Sequence, residues 1–261
     1  MERYAATTVT HEYAGFRLTL HLHDPLAEGW YDRDWDEPAE IAELRNGRLQ
    51  EGARVFDVGA HQGVVALILA RTVGDTGSVV AIEAERHNAT VARLNAETNS
   101  AANLTVIHAA AGATTGRLPF AESLNGYVVA KAGPGVVAVP SVKIDDIASQ
   151  HGHPDVVLVD VEGFEAHVLE GAAELIAEAR TDFCVEVHSA AKLGNVGSSV
   201  ASVLQPFGDG KYDIFVAVAD DTPPGLGSQE LATGWRQISS MAEVEAAGRR
   251  FFLVARPTTG D

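Results

Sequence analysis

The sequence predicts an α/β fold: a mostly parallel sheet with helices on both faces, preceded by a short β segment. Three observations predict it. From Arg54 onward, short runs of Val, Ile and Leu alternate with helix-length segments, the pattern of a parallel sheet built by helical crossovers. The first run, 54–58, leads through Gly59-Ala60-His61-Gln62-Gly63 into the apolar stretch 64–70. That is a strand, a glycine turn and a buried helix, and the two glycines would let backbone pass close under a ligand. Its free N–H groups and the helix's positive end would face that ligand. Third, strand after strand ends on polar groups: Asp57, Glu83, His108, Asp160 with Glu162, and Glu186 with His188. Ligands of open α/β sheets bind at that carboxyl edge.

Residues 1–50 read as an N-terminal β and helical cap, and 51–261 as the main domain. Phe16, Leu18, Leu20 and Leu22 alternate with polar residues, as in a half-exposed strand, and 7–13 can pair with it. Residues 24–38 hold Trp30, Tyr31 and Trp35 in an acidic loop; so many aromatics need cover, either as packing or as a lid over an acceptor pocket. Residues 38–49 have helical spacing, stopped by Gly52. In the main domain the strands are 54–58, 78–82, 104–108, 156–159, 183–187, 212–219 and 250–255. Helices are expected over 86–99, 165–179 and 198–207, and a short one near 142–147 with Asp145 as its cap. Residues 116–139, with several glycines, read as a hairpin or loop, and 220–234 as a long loop. The final strand pair suits an antiparallel edge.

A formal charge of −17 argues against nucleic acid or an anionic membrane as partner. Cys184 is the only cysteine, so no internal disulfide forms, and its apolar strand makes it a core residue. No run resembles a signal peptide or reaches the length of a membrane span, so a cytoplasmic protein is expected. A homo-oligomer is compatible with the sequence.

About 20 residues beyond Gly63, Glu83 ends the second strand, where an acid accepts hydrogen bonds from ribose hydroxyls in α/β cofactor folds. In order, the chain contains Asp57-Val-Gly-Ala-His-Gln-Gly63, Ala81-Ile-Glu-Ala84, Val142-Lys-Ile-Asp-Asp146, Val159-Asp-Val-Glu-Gly163 and Val185-Glu-Val-His188. This series resembles the FkbM family of S-adenosylmethionine-dependent methyltransferases, from about Asp24 to His188. The family usually has Asn where this chain has His61.

The resemblance implies a class I methyltransferase (Rossmann-like) fold, with a seven-stranded, mostly parallel sheet, an antiparallel last strand and the N-terminal β cap. It assigns Asp57, Gly59, Ala60 and Gly63 to the amino-acid end of S-adenosylmethionine, with His61 contributing backbone. Glu83, followed by Ala84, goes to the ribose and Ala110 or Ala111 to the adenine side, with Asn125 a polar contact near the cofactor. It points Asp160 into the cleft, where a helix cap is the alternative role. Glu186 and His188 are two apart and project to one side of a strand. His188 is read as the general base, oriented by Glu186 or Asp160. A divalent metal on Asp160, Glu186 and His188 is the alternative to a metal-free base, without a tight metal-binding signature behind it.

The implied reaction moves a methyl group to a hydroxyl of a small molecule, such as a sugar, polyketide or peptide natural product, leaving S-adenosylhomocysteine. N- or carboxyl-methylation, or a cofactor-binding module without turnover, are the alternatives. A nicotinamide dehydrogenase would carry a third glycine where His61 stands.

Overall fold

The computed structural model describes residues 5–218, 233–238, 244 and 250–258. The chain opens with a hairpin of β1 (Thr7–Tyr13) and β2 (Phe16–Leu22), paired from Thr7↔Leu22 to Tyr13↔Phe16. Both turn residues, Ala14 and Gly15, have positive φ, the tight form that matches strand twist. Leu18, Leu20 and Leu22 are fully buried, as their alternation predicts. The stretch expected to be an acidic loop contains a helix, α1 (Pro25–Tyr31). Asp24 caps it by accepting the Ala27 N–H at 2.8 Å, and Pro25 opens its first turn, where a missing N–H costs nothing. The next helix, α2 (Ala39–Leu44), is shorter than the spacing suggests.

Then come β3 (Arg54–Val58), α3 (Val64–Val73), β4 (Ser78–Glu83), α4 (Arg86–Thr98) and β5 (Leu104–His108). The glycine-bearing region folds as a small separate sheet. Its strands are β6 (Ala110–Ala111), β7 (Gly116–Ala121), β8 (Tyr127–Val128) and β9 (Val136–Val142), ordered β6-β9-β7-β8. After α5 (Ile144–His151) come β10 (Val156–Val159), α6 (Glu165–Glu170) and α7 (Ala173–Glu178). Asp145 does not cap α5. Its carboxylate accepts the N–H groups of Glu174 and Leu175 at 3.1 and 3.2 Å, so it caps α7. The single helix predicted over 165–179 is two, broken at Gly171, where a Cβ would stand 2.1 Å from the Gly112 carbonyl oxygen. The chain ends through β11 (Asp182–Val187), α8 (Ala190–Gly194), α9 (Val200–Leu204) with a 3₁₀ turn at Gln205–Phe207, β12 (Tyr212–Val218), β13 (Thr233–Ile238) and β14 (Phe251–Pro257). The sequence pattern misses α8 and overstates α9, which Ser199 caps.

The main sheet has the order β13-β12-β14-β11-β10-β3-β4-β5. From β11 to β5 the strands are parallel, and β14 inserts antiparallel between β11 and β12. Seven of these strands form the mostly parallel sheet with an antiparallel last strand that the resemblance implies. An eighth strand, β13, extends the edge. It begins where the predicted 220–234 loop ends; residues 220–232 of that loop lie outside the described residues.

Each strand divides its residues between two cores, as a period of two requires. Phe56, Val58, Val157, Val159, Phe183 and Val185 face the core under α6, α7 and α9. Val55, Val156, Leu158, Cys184 and Val254 face the other core, shared with the cap residues Tyr13, Leu18, Leu20, Leu22, Ile41 and Leu44. The cap and α3 therefore bury one continuous apolar surface. Among the described residues, no helix is long and apolar enough to cross a membrane.

Two asparagines of α4 and its C-terminal end bind the hairpin. Asn95 Oδ1 accepts the His21 N–H at 2.7 Å, and Asn99 Oδ1 accepts that of Thr19 at 3.0 Å. Asn99 Nδ2 donates to the Thr19 carbonyl at 2.7 Å. These amides complete the backbone hydrogen bonding of β2 where no third strand lies. Replacing Asn99 by Ala leaves the Thr19 N–H and carbonyl unpaired in a half-buried place, a loss of about 1–3 kcal/mol. Urea unfolding of Asn99→Ala should show that loss, and an unshifted midpoint would mean the amide does not hold the hairpin.

Candidate active site

The alternation that builds the cores also selects what faces the cap. Asp57 shares the face of Val55, and Glu186 that of Cys184. Together with Asp160, just beyond β10, they line a cavity of about 720 Å³ at the sheet's carboxyl edge. The sheet wall supplies Leu158, Cys184 and Phe252, and the cap wall supplies Trp30, Tyr31 and Trp35. Those aromatics pack against the main domain and line this cavity. A second, narrow cavity of about 50 Å³ lies beside Glu83, Ala84, Ala110 and Phe164, under Asn125 and Tyr127. Gly59, Asn125 and Asp160 line both.

His188 is where the structure departs most from the sequence reading. It lies just past the end of β11 and lines neither cavity, with 2% of its surface exposed. Its Nδ1 is 2.7 Å from Glu165 Oε1 and its Nε2 3.2 Å from Glu162 Oε2. Glu186 and Asp160 follow at 3.7 and 3.9 Å. Burial alone would lower its pKa, but the hydrogen bonds to Glu162 and Glu165, with the charges of Asp160 and Glu186, raise it to about 11. His188 is therefore a buried imidazolium at neutral pH, with both N–H groups committed. A base that takes an acceptor's proton needs a free lone pair and access to the cavity, and His188 has neither. The side-chain parity of a strand does not extend past its last residue, which is why Glu186 faces the cavity and His188 does not.

The other groups of this cluster are balanced in turn. Burial would raise Glu162, but hydrogen bonds from His188 and Lys192 hold it down to about 2. Glu186 accepts from Arg250 at 2.8 Å. Asp160 differs: its side chain is 42% exposed, onto the cavity, while Oδ1 is buried with no hydrogen-bond partner. Burial and the charge of Glu186 raise its pKa well above the usual carboxylate range. It does not serve as a helix cap; α6 has no side-chain cap, and it is Glu165 that accepts the Gly163 N–H.

The glycine turn is built differently from its sequence reading. Its N–H groups are not free for a ligand. Gly59 and Ala60 donate to the Ile82 carbonyl at 2.8 and 3.3 Å, and His61 donates to Glu83 Oε2 at 2.7 Å. Gly59 has φ +94, and a Cβ there would lie 1.7 Å from the Asp160 carbonyl oxygen; the glycine is needed by the neighbouring strand end. Gly63 lines neither cavity and lets α3 begin against Ala92 of α4, whose Cβ would be 3.1 Å away.

His61 joins three parts of the site. Burial lowers its pKa to about 4, so the ring is neutral. Its Nε2 faces the Leu124 carbonyl at 3.3 Å and must carry the proton, leaving Nδ1 to accept from Tyr31 Oη at 3.1 Å. Asn88 also donates to the Leu124 carbonyl, at 3.2 Å, and Asn125 donates to Glu162 at 2.6 Å. The loop over the narrow cavity is therefore tied down at two neighbouring residues.

The residues suit S-adenosylmethionine. Asp57 is 1% exposed and its Oδ2 has no partner; burial and the charge of Asp160 push it up to about 7, so a cationic ammonium is the group it lacks. Glu83 Oε1 and Oε2 each accept one backbone N–H, from Glu85 and His61. Four acceptor positions on a carboxylate leave one per oxygen for a diol. Ala84, Ala110, Val128 and Phe164 bound an apolar slot beside it. Glu165, Lys192 and Arg250 are absent from the sequence reading. An acid in the first turn of a helix looks like an ordinary dipole partner, and neither cation adjoins a motif.

A family model described as the methyltransferase FkbM domain matches residues 57–213. No curated protein matches the sequence. Similar solved structures include a methyltransferase FkbM from Methylobacillus flagellatus KT, 20% identical with a TM-score of 0.46, over 77% of this chain and 43% of that one. A SAM-dependent O-methyltransferase from Thermotoga maritima is 13% identical with a TM-score of 0.46, over 98% of this chain and 79% of that one. Cofactor-bound Rv0187 from MTB is 20% identical with a TM-score of 0.45, over 83% and 78%. The chain spans less than half the length of the first of these.

The charged state of His188 has a consequence for stability. Its folded pKa of about 11 lies above the free imidazole's roughly 6.5. Its contribution is complete below the free value and is lost as pH rises toward the folded one. The stability difference between the wild type and His188→Gln, from urea unfolding, should therefore shrink between about pH 7 and pH 10. A difference that stays constant would mean that the imidazole is not charged.

Proposed function

Because the chain belongs to the FkbM methyltransferase family, we propose that it transfers a methyl group from S-adenosylmethionine to a hydroxyl of a small molecule, such as a sugar, polyketide or peptide natural product. One observation carries the reading. Asp160, with Gly59 and Asn125, lines both the slot beside Glu83 and the larger cavity walled by the cap's aromatics. A methyl donor on one side and an acceptor on the other would meet at Asp160.

Bound there, the cofactor supplies a methyl carbon on a positively charged sulfur. Asp57 would hold its amino-acid end, with the Gly59–Ala60 backbone packed beside it, Glu83 would hold its ribose, and Ala84, Ala110 and Asn125 would flank its ring side. Asp160 would take the hydroxyl proton of the acceptor as the methyl group passes from sulfur to oxygen. S-adenosylhomocysteine is left. A base with a raised pKa whose side chain is partly open to the cavity is suited to this. Glu186 lines the same wall and orients the acceptor. His188 is a positioning residue that keeps Glu162, Glu165 and Glu186 in place. The rest of the acceleration is alignment in a cavity that excludes water.

Asp160, Glu186 and His188 bring ligand atoms within 4.8 Å of one another, which is what favours the metal alternative. The chain's own cations already occupy this place: His188 faces Glu162 and Arg250 pairs with Glu186. A metal-free base is the simpler reading, and EDTA should leave turnover unchanged.

Asp160→Asn should lower turnover by about 10²–10⁴-fold, measured as S-adenosylhomocysteine released with a competent hydroxyl acceptor; full turnover would remove Asp160 from the role of base. In calorimetry, S-adenosylmethionine should bind and NAD should not. Glu83→Ala should weaken cofactor binding by about 2–3 kcal/mol, the scale of hydrogen bonds to a charged group. Equal affinity of the two proteins would sink the ribose assignment.

A further inference from the structure

The larger cavity carries a cation that the chain does not balance. Arg33, between α1 and α2, lines it with Trp30 and Trp35. Its Nε is buried and makes no hydrogen bond, and among the described residues none forms an ion pair with it. The acids beside it in sequence are turned elsewhere: Asp32 and Asp34 both face His11, at 2.9 and 3.3 Å, and Asp34 also accepts the Glu12 N–H. The two other cations of the cavity wall are offset, Lys192 by Glu162 and Arg250 by Glu186. The chain has 36 Asp and Glu against 19 Lys and Arg, so an arginine without a carboxylate is not a matter of supply. A half-buried guanidinium with a bare N–H loses solvation and gains no partner. An anion in the cavity would give the guanidinium, which lines it, the counter-charge that no described residue supplies.

We propose that Arg33 reads an anionic oxygen group on the acceptor, a carboxylate or a phosphate, and so determines which hydroxyl compounds are methylated. This rests on the methyltransferase reading above. A guanidinium matches either group through paired N–H donors. Arg33 stands on the cap side with Glu40, and Asp57, Asp160 and Glu186 line the sheet side, where Arg250 pairs with Glu186. An anionic group held by Arg33 leaves the other end of the acceptor, with its hydroxyl, toward Asp160. Trp30 and Trp35 offer apolar faces for the ring between the two ends, and the Trp35 ring is itself held by its N–H on the Trp30 carbonyl at 3.0 Å.

The test uses the full chain loaded with S-adenosylhomocysteine and two matched pairs of probes: 4-hydroxybenzoate with 4-hydroxybenzamide, and glucose 6-phosphate with glucose. Saturation-transfer NMR titrations give the four affinities. The charged member should bind about ten- to a hundredfold tighter in at least one pair, and which pair shows it separates carboxylate from phosphate. Arg33→Gln should make the members of that pair equal, while Arg33→Lys should retain part of the preference. Should the Gln variant fail to fold, Arg33→Met takes its place. Equal affinities within both pairs, no binding by any of the four, or a preference that survives loss of the guanidinium would each overturn the proposal. Calorimetry of S-adenosylhomocysteine on the same samples separates the two levels. Failure there removes the methyltransferase premise, whereas intact cofactor binding without a charge preference removes only the role of Arg33.

Discussion

Carboxylates cannot be crowded at a buried sheet edge without compensating charge, and this constraint shapes the whole site. Asp160, Glu162, Glu165 and Glu186 converge within 3.9 Å of one imidazole. Without a cation among them they would repel each other and protonate. His188 takes that place, and Lys192 and Arg250 offset the outer members. Asp160 is the member whose side chain opens most onto the cavity, with an oxygen left unpartnered. The imidazolium thus permits the Asp160 carboxyl to stand at the cavity wall, because the acids around it are already offset.

The parts of this arrangement set by local periodicity were legible in the sequence. The alternation in 54–58, 156–159 and 183–187 correctly places Asp57 and Glu186 on one face. The glycine turn and the acid at Glu83 follow from spacing. What could not be read depends on contacts between distant segments. Nothing local says that Gly63 meets Ala92, that Asp145 caps a helix almost thirty residues later, or that Gly171 faces the Gly112 carbonyl. His188 shows the limit most clearly, since it stands one residue past the end of its strand and its contacts with Glu162 and Glu165 decide its place. Some signals were present and went unread: Asp24 before Pro25 marks a helix start, and the aromatic-rich stretch hid it.

The cap and the sheet do not merely touch. Asp24 caps α1 with one carboxylate oxygen and with the other accepts from Gln62 of the glycine turn at 2.5 Å. Tyr31, at the end of the same helix, donates to His61. Arg256 of β14 reaches Glu43 of α2 at 2.6 Å. The large cavity has no cap-side wall without these ties, so its shape is a joint property of two stretches of chain that the sequence lets one describe separately.

The asparagine side chains that complete β2 bear on a different matter, the self-association of strands. A two-stranded ribbon ordinarily presents two rows of unpaired backbone groups, each able to recruit a strand from another molecule. Here the amides of Asn95 and Asn99 occupy donors and acceptors on β2, so a helix does the work of a neighbouring strand on that side. On β1 the 32–35 segment pairs with the backbone of Glu12 and Ala14, and the row left open is the stretch at Thr8 and Thr10, both exposed. That edge is short and polar, a poor template for intermolecular pairing.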